Sequence, residues 1–171
     1  MTTSVEPSLR RPAPVRPTAA FMCAKMSRLI ALGFGSGLSP RAPGTVGTLW
    51  AWLVWQVLAP WISGPVALPV IAVGFVVGVW ACGRTAEALG VADHGGIVWD
   101  EVVAFWLVLA FVPAGFGSQL AAFLLFRFFD IVKPPPIRHF DATVPGGFGV
   151  MFDDLLAAFY TLLAFALWRA W

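Results

Sequence analysis

The 171-residue sequence predicts an all-α fold, that of a polytopic helical membrane protein with about five apolar helices and a polar site at its cytoplasmic interface. Hydrophobic residues make up 59% of the chain and charged residues 12%, whereas soluble domains average roughly half and a quarter. The mean hydropathy is +0.82. Because a soluble core in so short a chain could not bury this much apolar surface, we expect much of it to face lipid.

Five apolar stretches predict the helices, and three of them approach the roughly 20 residues that span a bilayer. They cover 46–62, 65–82, 101–113, 117–131 and 153–171. The third and fourth are shorter and are separated by Pro113 and two glycines, which predicts a helical hairpin or one deep and one shallow helix. Residues 1–28 are rich in Pro and Arg and predict a disordered tail, whereas 29–171 predict the helical domain.

Positive charges gather on one side of this helix pattern. Nine of the eleven Lys and Arg residues lie in the N-terminal region and in the predicted loops 83–100 and 132–152. The turns near 60–65 and 113–118 carry no charge, and Arg169 alone falls on the opposite side. The positive-inside rule therefore places the N-terminus and both acidic loops in the cytoplasm.

Composition argues against two other classes of function. A net charge of +2 is too small for a nucleic-acid-binding surface, and the basic residues are not interleaved with aromatics, so no nucleic-acid partner is predicted. The two cysteines, Cys23 and Cys82, lack the spacing of a metal site and provide no disulfide framework. The sequence specifies no oligomeric state.

Acidic residues concentrate beside the apolar stretches, where seven of the nine carboxylates fall in two short segments. Such charges are unfavourable near a membrane unless they are solvated, paired or bound to a cation. The pairs Asp100–Glu101 and Asp153–Asp154 open the third and last predicted helices, so stabilisation of a helix dipole is the simpler explanation for either pair alone. Two pairs at one interface favour a bound cation. Oxygen-only ligation suits Mg²⁺ or Mn²⁺ rather than zinc.

A glycine-rich segment leads into the first long helix. It reads Gly-Phe-Gly-Ser-Gly-Leu-Ser-Pro-Arg-Ala-Pro-Gly-Thr-Val-Gly-Thr over 33–48. Glycines let backbone amides approach an anion, and a helix N-terminus adds favourable partial charge. No Gly-Lys-Ser/Thr follows, so the segment is not a P-loop, and Leu38 stands where a dinucleotide fingerprint has its third glycine. The alternative, given even weight, is a flexible loop with Thr48 as the helix N-cap.

The fourth predicted helix carries Arg127, Asp130 and Lys133 at i, i+3 and i+6, so successive members are neighbours. Three prolines then end the helix. One interpretation is a salt-bridged helix end with a snorkelling lysine. The functional interpretation places Asp130 on a metal ion and Lys133 or Arg127 on a phosphate. Asp93 is left unassigned, and the other titratable residues are interpreted as solvated or hydrogen-bonding loop residues: Glu87, His94, His139 and Asp141.

Four motifs occur in a specific order. They are the glycine-rich segment 33–48, Asp-Glu-Val-Val at 100–103, Phe-Arg-Phe-Phe-Asp-Ile-Val-Lys-Pro-Pro-Pro-Ile at 126–137 and Gly-Gly-Phe-Gly-Val-Met-Phe-Asp-Asp at 146–154. Together they resemble the phosphatidylglycerophosphatase A family over about 30–171. The resemblance implies a multi-pass bacterial inner-membrane phosphatase that depends on Mg²⁺ and has its active site at the cytoplasmic face. It would convert phosphatidylglycerophosphate to phosphatidylglycerol and phosphate in phospholipid biosynthesis, with membrane lipids as its surroundings.

Candidate roles follow for two sets of residues. The candidate metal ligands, among which a general base or nucleophile is also sought, are Asp100, Glu101, Asp130, Asp153 and Asp154. The candidate phosphate-binding residues are Gly35, Ser36, Ser39, Thr45, Arg127 and the catalytic Lys133, with the backbone amides of 35–47 as a cradle. The residues do not distinguish ligand from base, or attack by water from an aspartyl-phosphate.

Two alternatives from other classes use the same acids. An ion or proton transporter is one, because intramembrane acids also mark ion pathways. No acid is predicted at mid-span, which argues against it. A non-catalytic membrane scaffold, whose acids only cap helices, is the other.

Overall fold

The fold is a bundle of α-helices. The computed structural model describes four ranges of the chain: 16–62, 64–91, 94–135 and 137–169. The helices in these ranges are α1 (Ala19–Cys23), α2 (Met26–Ala31), α3 (Pro43–Ile62), α4 (Ala67–Leu89), α5 (Trp99–Phe111), α6 (Phe116–Val132), α7 (Ile137–Thr143) and α8 (Gly146–Arg169). Short 3-10 segments at Gly33–Leu38 and Gly64–Val66 precede α3 and α4. No β-strand occurs within the described ranges, and the all-α prediction is confirmed.

Three helices of the described ranges are long and apolar enough, by length and composition, to cross a membrane. They are α3, the segment Gly64–Leu89 that contains α4, and α8. The helices α5 and α6 have 13 and 17 residues, so both are shorter, as the sequence predicted. How many of the five apolar helices span the bilayer stays a prediction.

The helix α5 lies at the centre of the bundle. Ten of its 13 residues are buried, and it packs against α3, α4 and α8. Trp99 Nε1 donates to Gly74 O and Trp106 Nε1 donates to Ala51 O, each at 3.0 Å, so the indole groups tie α5 to α4 and α3. A helix that is apolar on all sides is typical of such a central position. The surrounding helices keep large apolar side chains exposed, which suits contact with lipid.

Three element boundaries differ from the prediction. The last helix begins at Gly146 and not at 153, so the pair Asp153–Asp154 lies inside α8. The helix α4 continues to Leu89 through part of the predicted 83–100 loop, and α7 occupies part of the predicted 132–152 loop. The predictions of loop structure over these residues were therefore wrong.

Close helix packing accounts for the early start of α8. A Cβ on Gly147 would lie 1.9 Å from Val79 O, so a glycine that lowers helix propensity is what lets α8 approach α4. The N-cap assignment of Thr48 was also wrong, since Thr48 lies inside α3. Its hydroxyl donates to Gly44 O, four residues earlier, at 2.9 Å.

Part of the predicted N-terminal tail is helical. Residues 1–15 lie outside the described ranges, but α1 and the start of α2 fall within 16–28. Thr18 caps α1 by accepting a hydrogen bond from Phe21 N at 3.2 Å, and the Arg28 guanidinium lies 4.0 Å from the centre of the Phe21 ring. Capping and cation–π contacts of this kind stabilise a segment that lacks apolar periodicity.

Candidate active site

Three helices carry the predicted site carboxylates, and a fourth helix packs beside them. The carboxylates lie in the first turn of α5, at the end of α6 and in the second to third turns of α8, and the first two turns of α3 complete the site. All five carboxylates are buried, with exposed fractions between 3% and 9%, and we refer to them as the acid cluster: Asp100, Glu101, Asp130, Asp153 and Asp154. Asp154 interacts electrostatically with each of the other four. So many buried acids require nearby positive charge.

Arg127 supplies part of that charge. One of its guanidinium nitrogens lies 2.8 Å from Glu101 Oε1 and 2.6 Å from Asp130 Oδ2, and it also donates to Thr48 Oγ1 at 3.4 Å. Two carboxylates this close stabilise the charged form of the buried guanidinium. Arg127 is therefore protonated and joins α3, α5 and α6.

Lys133 supplies the second positive charge. The prediction that Lys133 lies on the fourth helix was wrong. Lys133 is the C-cap residue of α6 and has the left-handed conformation, with φ 45° and ψ 64°. This turn brings Lys133 Nζ to 2.5 Å from Asp153 Oδ2 on α8. Tyr160 of α8 donates to Pro135 O at 3.0 Å and holds the turn that follows. Proline ends the helix as predicted, and the geometry of the end aims the lysine at the acid cluster.

The two acid pairs share a local geometry but differ in position. Asp100 Oδ1 accepts from the backbone N–H of Glu101, and Asp153 Oδ1 accepts from that of Asp154, each at 3.0 Å. The first pair lies in the first turn of α5, where the helix dipole stabilises carboxylates. The second pair lies about two turns inside α8, beyond the reach of that effect. Dipole stabilisation therefore does not explain Asp153 and Asp154.

The donor chemistry of the acid cluster fits a divalent cation. Asp154 Oδ2 is a buried carboxylate oxygen with no hydrogen-bond partner in the described part of the chain. Five carboxylates face two cations, and a hard, oxygen-binding ion such as Mg²⁺ would offset the excess negative charge. In the described residues no three Asp, Glu, His or Cys side chains are already placed to hold an ion. The carboxylates now paired with Arg127 and Lys133 would have to shift to ligate one.

Two glycines of α3 make room for Glu101. A Cβ on Gly44 would lie 1.9 Å from Glu101 Oε1 and 3.1 Å from the Arg127 guanidinium. A Cβ on Gly47 would lie 3.2 Å from Glu101 Oε2 and 2.7 Å from Val98 Cβ. Sequence reasoning treated this segment as a backbone cradle for an anion and missed this steric role. The signal was the pair of glycines at i and i+3 beside a predicted helix start.

The residues predicted to bind phosphate through the glycine-rich segment lie in and just after the loop before α3. Ser36 Oγ donates to Gly33 O at 2.9 Å and Ser39 Oγ donates to Arg41 O at 2.8 Å, so both hydroxyls bind the backbone of the loop itself. Gly35 has φ +111°, a conformation that favours glycine. Thr45 is half-buried in the first turn of α3. Their role towards phosphate stays a prediction.

The remaining titratable residues lie apart from these contacts. Glu87 is exposed, as predicted, but it sits on α4 and pairs with Arg84 at 3.8 Å. His94 Nδ1 accepts from Gly96 N at 3.0 Å, which agrees with a loop hydrogen bond. Asp93 and the side chain of Asp141 lie outside what the structure describes.

A model of the family described as phosphatidylglycerophosphatase A matches residues 29–169, which includes every segment of the acid cluster. The chain belongs to this family. Its resemblance to the family, inferred from four motifs, is confirmed. A Haemophilus influenzae phosphatidylglycerophosphatase A is 47% identical over 136 residues, covering 79% of this chain and 83% of the relative. The Escherichia coli protein of the same name is 46% identical over 132 residues, covering 75% of each chain.

A third relative has a different name. This Bacteroides thetaiotaomicron protein, provisionally named a phosphatidylinositol-3-phosphatase, is 41% identical over 148 residues. The match covers 82% of this chain and 92% of the relative. No solved structure matches the chain. The names of all three relatives describe phosphatases that act on phospholipids.

Proposed function

We propose that this protein hydrolyses the terminal phosphomonoester of phosphatidylglycerophosphate, in dependence on Mg²⁺, to give phosphatidylglycerol and phosphate. One observation carries the proposal: a chain of this family buries five carboxylates with two cations where four helices meet. A phosphate monoester dianion repels nucleophiles, so its hydrolysis needs positive charge on the phosphoryl oxygens and a base for water. The acid cluster, Arg127 and Lys133 provide groups of both kinds.

The two cations would bind the phosphate by exchanging partners. Arg127 and Lys133 now bind carboxylates, and phosphate oxygens are equally good acceptors for both side chains. When the substrate takes over these hydrogen bonds, the released carboxylates become available to a metal ion or to a water molecule. Binding of the substrate phosphate to Arg127 and Lys133 would thus free the carboxylates to bind a metal ion or a water molecule.

The acid cluster would hold Mg²⁺ through Asp154 and the carboxylates released by the cations. When bound, this ion lowers the pKa of a water molecule and neutralises phosphoryl charge. One of these released carboxylates would stay off the ion and accept the proton of the attacking water, and Asp130, now paired with Arg127, is our candidate for it. The water oxygen forms the new bond to phosphorus while the bond to the glycerol oxygen breaks. That oxygen takes up a proton from solvent to leave as a hydroxyl, and the base returns its proton to solvent.

We also propose that the site faces the cytoplasm at a bacterial inner membrane, where the reaction would serve phospholipid biosynthesis. The distribution of Lys and Arg supports this orientation. The ends of α3, α5 and α6 that contribute to the acid cluster lie on the side of the predicted cytoplasmic segments. The substrate phosphate would then reach the acid cluster from the inner leaflet.

One observation each supports two competing functions, a different lipid substrate and ion transport. The Bacteroides thetaiotaomicron relative suggests phosphatidylinositol 3-phosphate as a second substrate, although its identity to this chain is lower. Transport of ions or protons gains one observation, because Asp153 and Asp154 lie within the candidate span α8 and not beside it. Both residues nevertheless share a cluster with Lys133 and Arg127, which an anionic substrate explains better than a cation pathway.

The deciding experiment measures phosphate release by the purified chain in detergent micelles. We expect release from phosphatidylglycerophosphate with Mg²⁺ or Mn²⁺, slower release from phosphatidylinositol 3-phosphate, and none after metal removal with EDTA. Restored activity on adding Mg²⁺ back is the control for intact protein. Full activity in excess EDTA would remove the metal from the proposal, and no release from either lipid would remove the phosphatase function.

A further inference from the structure

An open groove lies between α3 and the first turn of α6. Its volume is about 420 Å³, and it is lined mainly by Leu49, Trp52, Leu53, Gln56, Phe116 and Gln119. No charged residue lines it. Three of the apolar side chains are well exposed, Leu49 at 46%, Leu53 at 66% and Phe116 at 73%.

Polar contacts join α3 to α6 at the far end of this groove and just outside its near end. Near the acid cluster, Arg127 donates to Thr48 Oγ1 at 3.4 Å. At the far end, Gln119 Oε1 accepts from Trp52 Nε1 at 2.7 Å and from Gln56 Nε2 at 2.8 Å. Because each polar group in lipid needs a partner, this buried glutamine fixes the distance between the helices at the far end.

Aromatic stacking around Trp52 shapes the groove near the Gln119 contact. The Trp52 ring stacks on Phe116 with centroids 5.8 Å apart and on Phe123 with centroids 5.9 Å apart. On α3 the lining residues run from Leu49, which directly follows Thr48, to Gln56. At about 1.5 Å per residue this part of the groove covers roughly 10 Å of helix, and it begins one residue from the contact between Thr48 and Arg127.

We propose that this groove holds an acyl chain of the lipid whose phosphate occupies the acid cluster. The inference rests on the proposed function and adds to it the part of the substrate that the protein recognises outside the phosphate. Continuity is the main argument: Leu49, which lines the groove, directly follows Thr48 on α3, and α6 carries both Arg127 and the lining residues Phe116 and Gln119. An apolar, uncharged lining matches a hydrocarbon chain. Binding the chain there positions the phosphate at Arg127, so that energy from a remote part of the substrate contributes to turnover.

The kinetic test compares two substrates in detergent micelles, phosphatidylglycerophosphate with long acyl chains and the same lipid with six-carbon chains. Leu53→Trp fills the groove, whereas Val76→Trp adds the same side chain to an exposed position of α4, where the exposed fraction is 69%. We expect Leu53→Trp to lower the long-chain to short-chain ratio of kcat/KM by roughly 10-fold, and Val76→Trp to leave that ratio unchanged. An unchanged ratio in Leu53→Trp, including equal losses on both substrates, overturns the proposal.

A binding measurement separates this inference from the proposed function. A phosphonate analogue of the long-chain lipid, which cannot be hydrolysed, carries a photoreactive diazirine midway along one acyl chain. We expect labelled peptides from α3 and α6, with labelling reduced by excess unlabelled phosphonate but not by excess phosphatidylcholine. If phosphatidylcholine competes equally, or α4 near Val76 is labelled as strongly, the groove holds only bulk lipid. Specific labelling in a protein without phosphatase activity would retain the groove and reject the reaction.

Discussion

Arg127 is the residue on which the arrangement of the acid cluster depends most directly. It contacts carboxylates from two helices and the hydroxyl of Thr48 on a third. A buried guanidinium that lost all its partners would be strongly destabilising. Since Glu101 and Asp130 both bind it, either one can lose its charge without leaving Arg127 unpaired. The variant Asp130→Asn uses this redundancy.

Substitution Asp130→Asn keeps the shape of the side chain and removes its charge. If Asp130 binds metal or accepts the proton of water, kcat should fall by at least about 100-fold. Glu101 still pairs with Arg127, so the melting temperature should change little. Phosphate release and thermal unfolding are measured together, with Glu87→Gln, whose side chain is 73% exposed, as the control. A lowered melting temperature with near-normal specific activity would instead assign Asp130 a structural role.

Lys133 combines a charge with an unfavourable backbone conformation, and two variants separate these contributions. Lys133→Ala removes the ammonium group, and Lys133→Gly removes it while relieving the positive φ of 45°. We expect kcat to fall about 100-fold in both, as when one donor to a developing charge is lost. The Gly variant should be the more stable of the two by up to about 1 kcal/mol. Activity that recovers in Lys133→Gly would show that the turn matters and the charge does not.

At the scale of elements, the starts of α3 and α8 differ from what local sequence suggests. Glycine disfavours helix, yet Gly44, Gly47 and Gly147 lie in helical turns where a Cβ would collide with a neighbour. In each case the packing of one helix on another outweighs intrinsic propensity. The glycine-rich motifs therefore reflect close approach of helices as much as anion binding.

Gly44 and Gly117 provide a matched pair for testing this. Each is the second residue of its helix, but a Cβ on Gly44 would meet Glu101 Oε1 at 1.9 Å whereas one on Gly117 would meet nothing within 4 Å. Gly44→Ala should displace Glu101 or Arg127 and lower both the melting temperature and, by roughly 10-fold, kcat/KM. Gly117→Ala should be neutral or stabilising by about 0.5–1 kcal/mol. Equal behaviour of the two variants in unfolding and kinetic assays would argue against the steric role.

At the scale of the whole molecule, the topology decides which side of the membrane the acid cluster faces. The distribution of Lys and Arg predicts a cytoplasmic N-terminus and a cytoplasmic connection between α7 and α8. Cysteines introduced at the N-terminus and at 144–145 should be protected from a membrane-impermeant thiol reagent in intact cells. A cysteine introduced at position 63, between α3 and α4 in the chain, should react with the same reagent. Labelling at 144–145 from outside would reverse the placement of the acid cluster.

The amino-acid sequence by itself determined the all-α class, the family and the identity of the charged residues in the acid cluster. These followed because hydropathy and the order of motifs are properties of the chain that need no knowledge of packing. The short lengths of α5 and α6 were predicted for the same reason.

Only the tertiary structure decided which charges meet and where the helices begin. Arg127 pairs with Glu101 and Thr48, which are 26 and 79 residues away in the chain, and Lys133 pairs with Asp153, which is 20 residues away. Local patterns placed Asp153 and Asp154 at a helix start, but the packing of Gly147 on α4 extends α8 past them. Contacts between distant segments depend on how the helices pack, and neither periodicity nor propensity within one segment carries that information.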